Sequence, residues 1–129
     1  MNGTKITDKP RFQFRSSMID TARHWLPLET IFAHLDAMAY NKMNVLHWHI
    51  VDSQSFPYCS YTFPTLCEEG AYTQTHLYHR EDVQQVIDYA TNRGIRVIPE
   101  FDMIINATSI GLNKNDKINL DLSKAYSFD

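Results

Sequence analysis

The run Asn44-Val45-Leu46-His47-Trp48-His49-Ile50-Val51 passes abruptly into Asp52-Ser53-Gln54-Ser55-Phe56-Pro57-Tyr58, so a short apolar stretch ends in a cluster of polar and aromatic groups. The stretch is partly β-branched and too continuously apolar for a half-exposed antiparallel strand. It predicts a strand buried on both faces that empties into a site.

The flanking sequence supplies the rest of a layered unit. Arg15 to Thr21 is a candidate strand, and Pro27 stands where a helix can begin, since a first-turn proline forfeits no hydrogen bond. Leu28, Ile31, Phe32, Leu35, Met38 and Ala39 recur at steps of three and four and predict a helix from about Leu28 to about Lys42 with one apolar stripe. Val83, Val86, Ile87 and Ala90 repeat that spacing, with Glu81 and Asp82 favourable to the first-turn dipole and Gly94 placed to end the helix. Ile95 to Asp102 follows as a third strand, and Pro99 within it argues for a site near its end rather than a regular ladder. The order strand, helix, strand, helix, strand is that of a parallel sheet covered by helices.

Composition restricts the partners. With 129 residues, 43% of them hydrophobic and 21% charged, the chain has the balance of one globular domain or part of one. A net charge of -3 with scattered Lys and Arg offers no basic stripe, so neither nucleic acid nor an anionic membrane is expected as a partner. No apolar run approaches the roughly 18 residues of a membrane span. The first residues lack the apolar stretch of a secretory signal, which leaves a cytosolic protein or a leader outside this chain.

Cys59 and Cys67 are eight apart in a loop-like region; a local bridge requires an oxidising compartment, and two free thiols are the expectation. Asn2-Gly3-Thr4 and Asn106-Ala107-Thr108 match the N-glycosylation pattern, which matters only in the secretory pathway. About 28 residues separate the second strand from the second helix, against the two to six usual for such a connection. Phe56, Tyr58, Tyr61, Phe63, Tyr72 and Tyr78 lie there, and most of these rings are expected to pack as an aromatic minicore that holds the loop down.

Ligands of parallel αβ proteins gather at the carboxyl ends of strands, which selects Asp20 with Arg23 and His24, His49 with Asp52, and Glu100 with Asp102. Arg23 can fork onto a carboxylate or paired sugar hydroxyls, while Asp52 and Asp102 can accept from a sugar or orient a histidine. A rival reading rests on His47 and His49, which share one strand face as in zinc hydrolases built on barrels. Such sites need further ligands on later strands, and His24, His34, His76 and His79 do not stand at strand ends after His49. Hydrogen-bonded internal histidines are therefore expected, with no metal and no cofactor.

Arg11-Phe12, Ile19-Asp20-Thr21-Ala22-Arg23-His24-Trp25-Leu26-Pro27-Leu28, the segment Leu35 to Asp52, and Gly94-Ile95-Arg96-Val97-Ile98-Pro99-Glu100-Phe101-Asp102 closely resemble the β-N-acetylhexosaminidases of glycoside hydrolase family 20, in order and at family spacing. The resemblance covers about residues 10 to 102. It implies an α/β fold, a partial TIM (β/α)8 barrel comprising about the first three strands and two helices, with a polar leader over 1–14 and an incomplete catalytic barrel domain over 15–129. It also implies release of terminal N-acetylhexosamine from glycans by a retaining reaction in which the substrate's acetamido oxygen attacks the anomeric carbon. In that family an Asp orients the acetamido group and a neighbouring Glu protonates the leaving oxygen, then activates water. By the same resemblance Arg23 grips sugar hydroxyls, and Asp52 and Asp102 support the site through a histidine and the catalytic Glu. Lysosomal or secreted localisation and dimerisation with a hexosaminidase subunit are further implications.

The sequence departs from the family in three places. The His-x-Gly-Gly-Asp-Glu motif is absent, as is any Asp-Glu dipeptide, so no catalytic residue is assigned. General acid catalysis typically supplies about 10²- to 10⁴-fold in rate, and the chain alone is expected to be inactive. After Asp102 the family reads Pro-Gly-His and then Ser-Trp-Gly, whereas Asn106 and Ile110 hold the histidine and tryptophan positions here. The segment Ile118 to Phe128 resembles the stretch before the next family helix but follows Asp102 too soon. Against the roughly 250 residues of a full barrel, a partial or aberrant hexosaminidase product is expected, active by lineage only. The alternatives are a sugar-binding or subunit-pairing remnant and, third, the metal hydrolase acting through His47 and His49.

Overall fold

The computed structural model describes residues 3–102. The elements run β1 (Ser16–Asp20), α1 (Leu28–Tyr40), β2 (Val45–Val51), α2 (Thr65–Gly70), α3 (Arg80–Thr91) and β3 (Arg96–Phe101). The three strands form one sheet in the order β1-β2-β3, and both pairings are parallel. Parallel neighbours need long crossovers, here made by α1 between the first two strands and by α3 before the third.

Strand β2 lies at the centre and is buried at every position except His47, as its continuous apolar character predicts. Leu46, Trp48 and Ile50 alternate onto one face and join Ile31, Leu35 and Met38 of α1 and Val83, Val86 and Ala90 of α3 in a single core. The helices meet where Phe32 stacks on Tyr89 with ring centroids 4.4 Å apart. Both helical stripes are as their spacing predicts, and Gly94 takes φ +68° in the turn after α3, the left-handed conformation that glycine adopts without penalty.

Register puts Ser16, Val45 and Arg96 in one row, Met18, His47 and Ile98 two rows on, and Asp20, His49 and Glu100 two rows further, nearest the carboxyl ends. The β2–β3 ladder breaks after this last row, between His49 and Val51. Pro99 stands one row before the break, so the irregularity that a proline in this strand predicts falls beside the polar row.

The connection from β2 to α3 is not structureless. It holds the additional helix α2, which the two-helix reading omits, and a bridge between Tyr58 and Tyr78. Cys59 and Cys67 are joined in a disulfide with Cα atoms 5.2 Å apart, which corrects the expectation of two free thiols. The bridge ties α2 to the strand-like segment before it, and Cys67 is buried. Gly70 comes so close to Phe56 that a Cβ on it would lie 2.8 Å from the Phe56 Cβ. The aromatic minicore exists only in part. Tyr78 is fully buried and Phe56 and Tyr58 pack against the core, whereas Tyr61, Phe63 and Tyr72 are exposed.

Within the described residues no helix is long and apolar enough to cross a membrane. Asn2, Asn106, Ile110 and the segment 118–128 lie outside the described residues.

Candidate functional site

At the carboxyl ends of the strands the polar row becomes a connected network. Asp20 ends β1, and its Oδ1 accepts the backbone N–H of Ala22 at 3.2 Å and of Arg23 at 3.0 Å, which folds the chain back so that the Arg23 side chain returns over its own strand end. Arg23 Nη1 donates to Asp20 Oδ2 at 2.6 Å, Nε donates to Gln54 Oε1 at 2.7 Å, and Nη2 forms an ion pair with Asp52 Oδ2. The guanidinium is thus clamped between the ends of β1 and β2, yet its side chain is 50% exposed. Three of its five N–H groups are taken by these contacts, and the other two meet no acceptor among the described residues.

Asp52 sits just beyond β2 with its side chain only 2% exposed. Its Oδ2 faces Arg23 and also His49 Nε2 at 2.9 Å, while Oδ1 accepts Ser53 Oγ–H at 2.8 Å. The hydrogen bond from His49, with that of Ser53 and the nearby Arg23 charge, outweighs burial and holds the carboxyl at about 2.

His49 stands between two carboxylates, with Nε2 against Asp52 and Nδ1 at 2.9 Å from Glu100 Oε2. Burial opposes a charge on this ring, but the hydrogen bonds to Glu100 and Asp52 and the field of Asp20 raise its pKa above the usual imidazole value. Glu100 Oε2 also faces His47 Nε2 at 2.7 Å, and the His49 bond draws the Glu100 carboxyl below its ordinary range. Asp20 is lowered too, since the backbone and side chain of Arg23 outweigh burial.

The structure therefore unites Arg23 and Asp52, two of the three sequence-predicted residues, through a direct ion pair. Asp102, the third, is exposed at the end of β3, where its backbone N–H donates to Val51 O at 3.1 Å and its charge still favours that of Arg23. The carboxylate from β3 that reaches a histidine is Glu100, a strand-end neighbour of Asp102 to which the sequence assigns no role, and Gln54 carries no sequence signal of its own. Period-two alternation places Glu100 on a definite face of its strand, but only the register shows that this face carries His47 and His49. Both nitrogens of His49 are spent on carboxylates, and the described residues hold no group of three or more His, Cys, Asp or Glu fit to bind a metal ion, so the geometry lends the zinc reading no support.

Residues 12–119 match the profile of glycosyl hydrolase family 20, catalytic domain. The rat β-hexosaminidase subunit β is 60% identical over 102 residues, which are 79% of this chain and 19% of that protein. The human subunit β is 50% identical over 129 residues, which are 100% of this chain and 23% of the human protein. Among solved structures, a Flavobacterium johnsoniae chitobiase superimposes with a TM-score of 0.68 at 38% identity, covering 73% of this chain and 14% of its own. An exo-β-N-acetylglucosaminidase from Vibrio harveyi, solved in complex with N-acetylglucosamine, gives 0.65 at 31% identity over 71% of this chain and 17% of its own. The chain thus spans about a fifth of the length of the curated relatives it matches. Motifs, the partial parallel αβ barrel and these likenesses converge: the chain belongs to glycoside hydrolase family 20.

Proposed function

We propose that the chain forms the hydroxyl-gripping part of a β-N-acetylhexosaminidase site, binding the terminal N-acetylhexosamine of a glycan. The observation that carries this reading is the Arg23 clamp: a half-exposed guanidinium fixed by Asp20, Gln54 and Asp52, with two N–H groups that no other described residue takes up. Two neighbouring hydroxyls of a pyranose match such a fork, and the fixed partners remove the side-chain entropy that a free arginine would lose on binding. Asp52 holds the guanidinium in place, and Asp102 adds negative charge at the rim of the same strand ends.

The hydrolytic step of the lineage needs an Asp to orient the acetamido group and a Glu to protonate the leaving oxygen, and these 129 residues contain no Asp-Glu pair. Turnover therefore requires residues that this sequence does not supply, and the chain by itself binds without hydrolysing. Subunit pairing fits the same picture, since the mammalian relatives are named as α and β subunits. A lysosomal or secreted location is supported by the disulfide, a bond that persists in oxidising compartments.

Titration with N-acetylglucosamine, followed through Trp25 and Trp48 fluorescence, tests the binding reading, with a chromogenic N-acetylglucosaminide assayed in parallel. Saturable quenching that Arg23→Ala abolishes, without turnover, is the expected result. Saturation unaffected by Arg23→Ala removes the clamp from the site, and turnover by the purified chain overturns the inactivity.

A further inference from the structure

Inside the network, His49 has a geometry that the sugar contacts do not call for. Its side chain is 6% exposed, and its two ring nitrogens lie at equal distances, 2.9 Å, from oxygens of two different carboxylates. A neutral imidazole carries one N–H and one lone pair, so it would oppose a lone pair to one of these oxygens. Only the doubly protonated ring donates to both.

We propose that His49 is a positioning residue, a buried imidazolium that ties Glu100 of β3 to Asp52 at the end of β2 and thereby fixes the Asp52 oxygen on which Arg23 rests. The inference rests on the sugar-site reading for its purpose, although the ionic relay itself does not depend on any ligand. Among the described residues, the groups facing His49 are Asp20 from β1, Asp52 and the Arg23 guanidinium beyond it, and Glu100 from β3, whose Oε2 also faces His47. Three carboxylates against one guanidinium leave an excess of negative charge around the ring, which favours the cation in spite of burial. The elevation of the His49 pKa and the lowering of those of Asp52 and Glu100 are in keeping with that balance.

The device works through one shared atom. Asp52 Oδ2 accepts from both His49 and Arg23, so the carboxylate cannot turn towards one partner without weakening the other. When His49 loses its second proton, the ring keeps one N–H and must leave either Asp52 or Glu100 opposite a lone pair. Asp52 then gains freedom, and the Arg23 fork is less well aimed.

Side-chain nitrogen NMR of the complete chain, run from about pH 5 to about pH 9, tests this without any ligand. Two protonated His49 nitrogens at neutral pH are expected, with a midpoint above that of an ordinary histidine that drops in Glu100→Gln, and an Arg23 Nε signal that shifts over the same titration. A single protonated His49 nitrogen at neutral pH, or an Arg23 signal indifferent to the His49 titration, overturns the proposal. Affinity for N-acetylglucosamine should weaken by about tenfold as pH rises through the His49 midpoint, and His49→Gln should flatten that profile. Absence of sugar binding at every pH, with the coupled His49 and Arg23 titration intact, refutes the sugar-site reading and leaves the relay standing.

Discussion

Asp52 and Arg23 are joined across a boundary of exposure: the carboxylate is all but sealed from solvent while its guanidinium partner is half open to it. The buried end fixes the pair, and in the proposed site the open end is what a ligand would meet. Asp52→Asn tests the division. An amide keeps the shape of the carboxylate but loses the charge, and it turns an N–H₂ towards a partner that already donates, whether Arg23 and His49 on one side or Ser53 on the other. Affinity for N-acetylglucosamine should weaken by about tenfold or more, with a lower thermal midpoint. Calorimetric titration that finds affinity within about twofold of the parent chain would show that Asp52 does not hold the fork.

The linkage of folding to pH follows from two shifts of opposite sense. Asp52 is lowered from the ordinary 3.8 to about 2, so its contribution is complete above 3.8 and is lost as pH falls through about 2. His49 is raised above 6.5, so its contribution is complete below 6.5 and is lost as pH rises through the folded value. Together they set a mildly acidic window between about 3.8 and about 6.5 in which both act. Thermal unfolding across pH should give its highest midpoint there, and Glu100→Gln should reduce the loss on the alkaline side. A midpoint that keeps rising from about pH 6 to about pH 8 would contradict the sign assigned to His49.

These pairs also mark where sequence reading stops. The stripes of α1 and α3 and the buried run of β2 were legible because each is a short-range period set by one element against one core. Helix α2 was not, since six residues with one buried side chain, Cys67, carry no period and are held by a disulfide and the close approach of Gly70 to Phe56. Strand ends and motif likeness point to Arg23 and Asp52, but their contact spans 29 positions and depends on the turn made by Asp20. The role of Glu100 is not legible in the sequence because its partner histidines are fixed by parallel register, a property of two strands rather than one.

Tyr78 links the long connection to the loop that follows Arg23. Its hydroxyl donates to Leu26 O and accepts the Leu26 N–H at 3.1 Å, while its fully buried ring lies edge-on to Trp48 with centroids 5.3 Å apart. Burial pushes this phenol up to about 12, so the hydroxyl stays protonated through acidic and neutral pH. Tyr78→Phe keeps the ring packing but strips two polar groups of Leu26 of their partner. A loss of about 1–3 kcal/mol in denaturant unfolding is expected, with an unchanged slope. If the variant equals the parent in stability, water replaces the hydroxyl and the link between the loops is not a source of stability.

The disulfide should act locally. Cys59 and Cys67 are eight residues apart, and the chain-entropy relation gives about 2.5 kcal/mol for closing a loop of that size. Helix α2, at six residues, is far below the length at which a helix persists by itself, so its order depends on that bond and on the Phe56 N–H to Gly70 O hydrogen bond of 2.8 Å. Strand β2 depends instead on α1, α3 and its two neighbouring strands. Reduction, or the double variant Cys59→Ser with Cys67→Ser, should therefore remove amide-exchange protection from 65–70 while that of 45–51 is retained. Exchange that accelerates equally in both segments would make the connection part of the cooperative core, and the loop could no longer be treated as a unit stapled onto it.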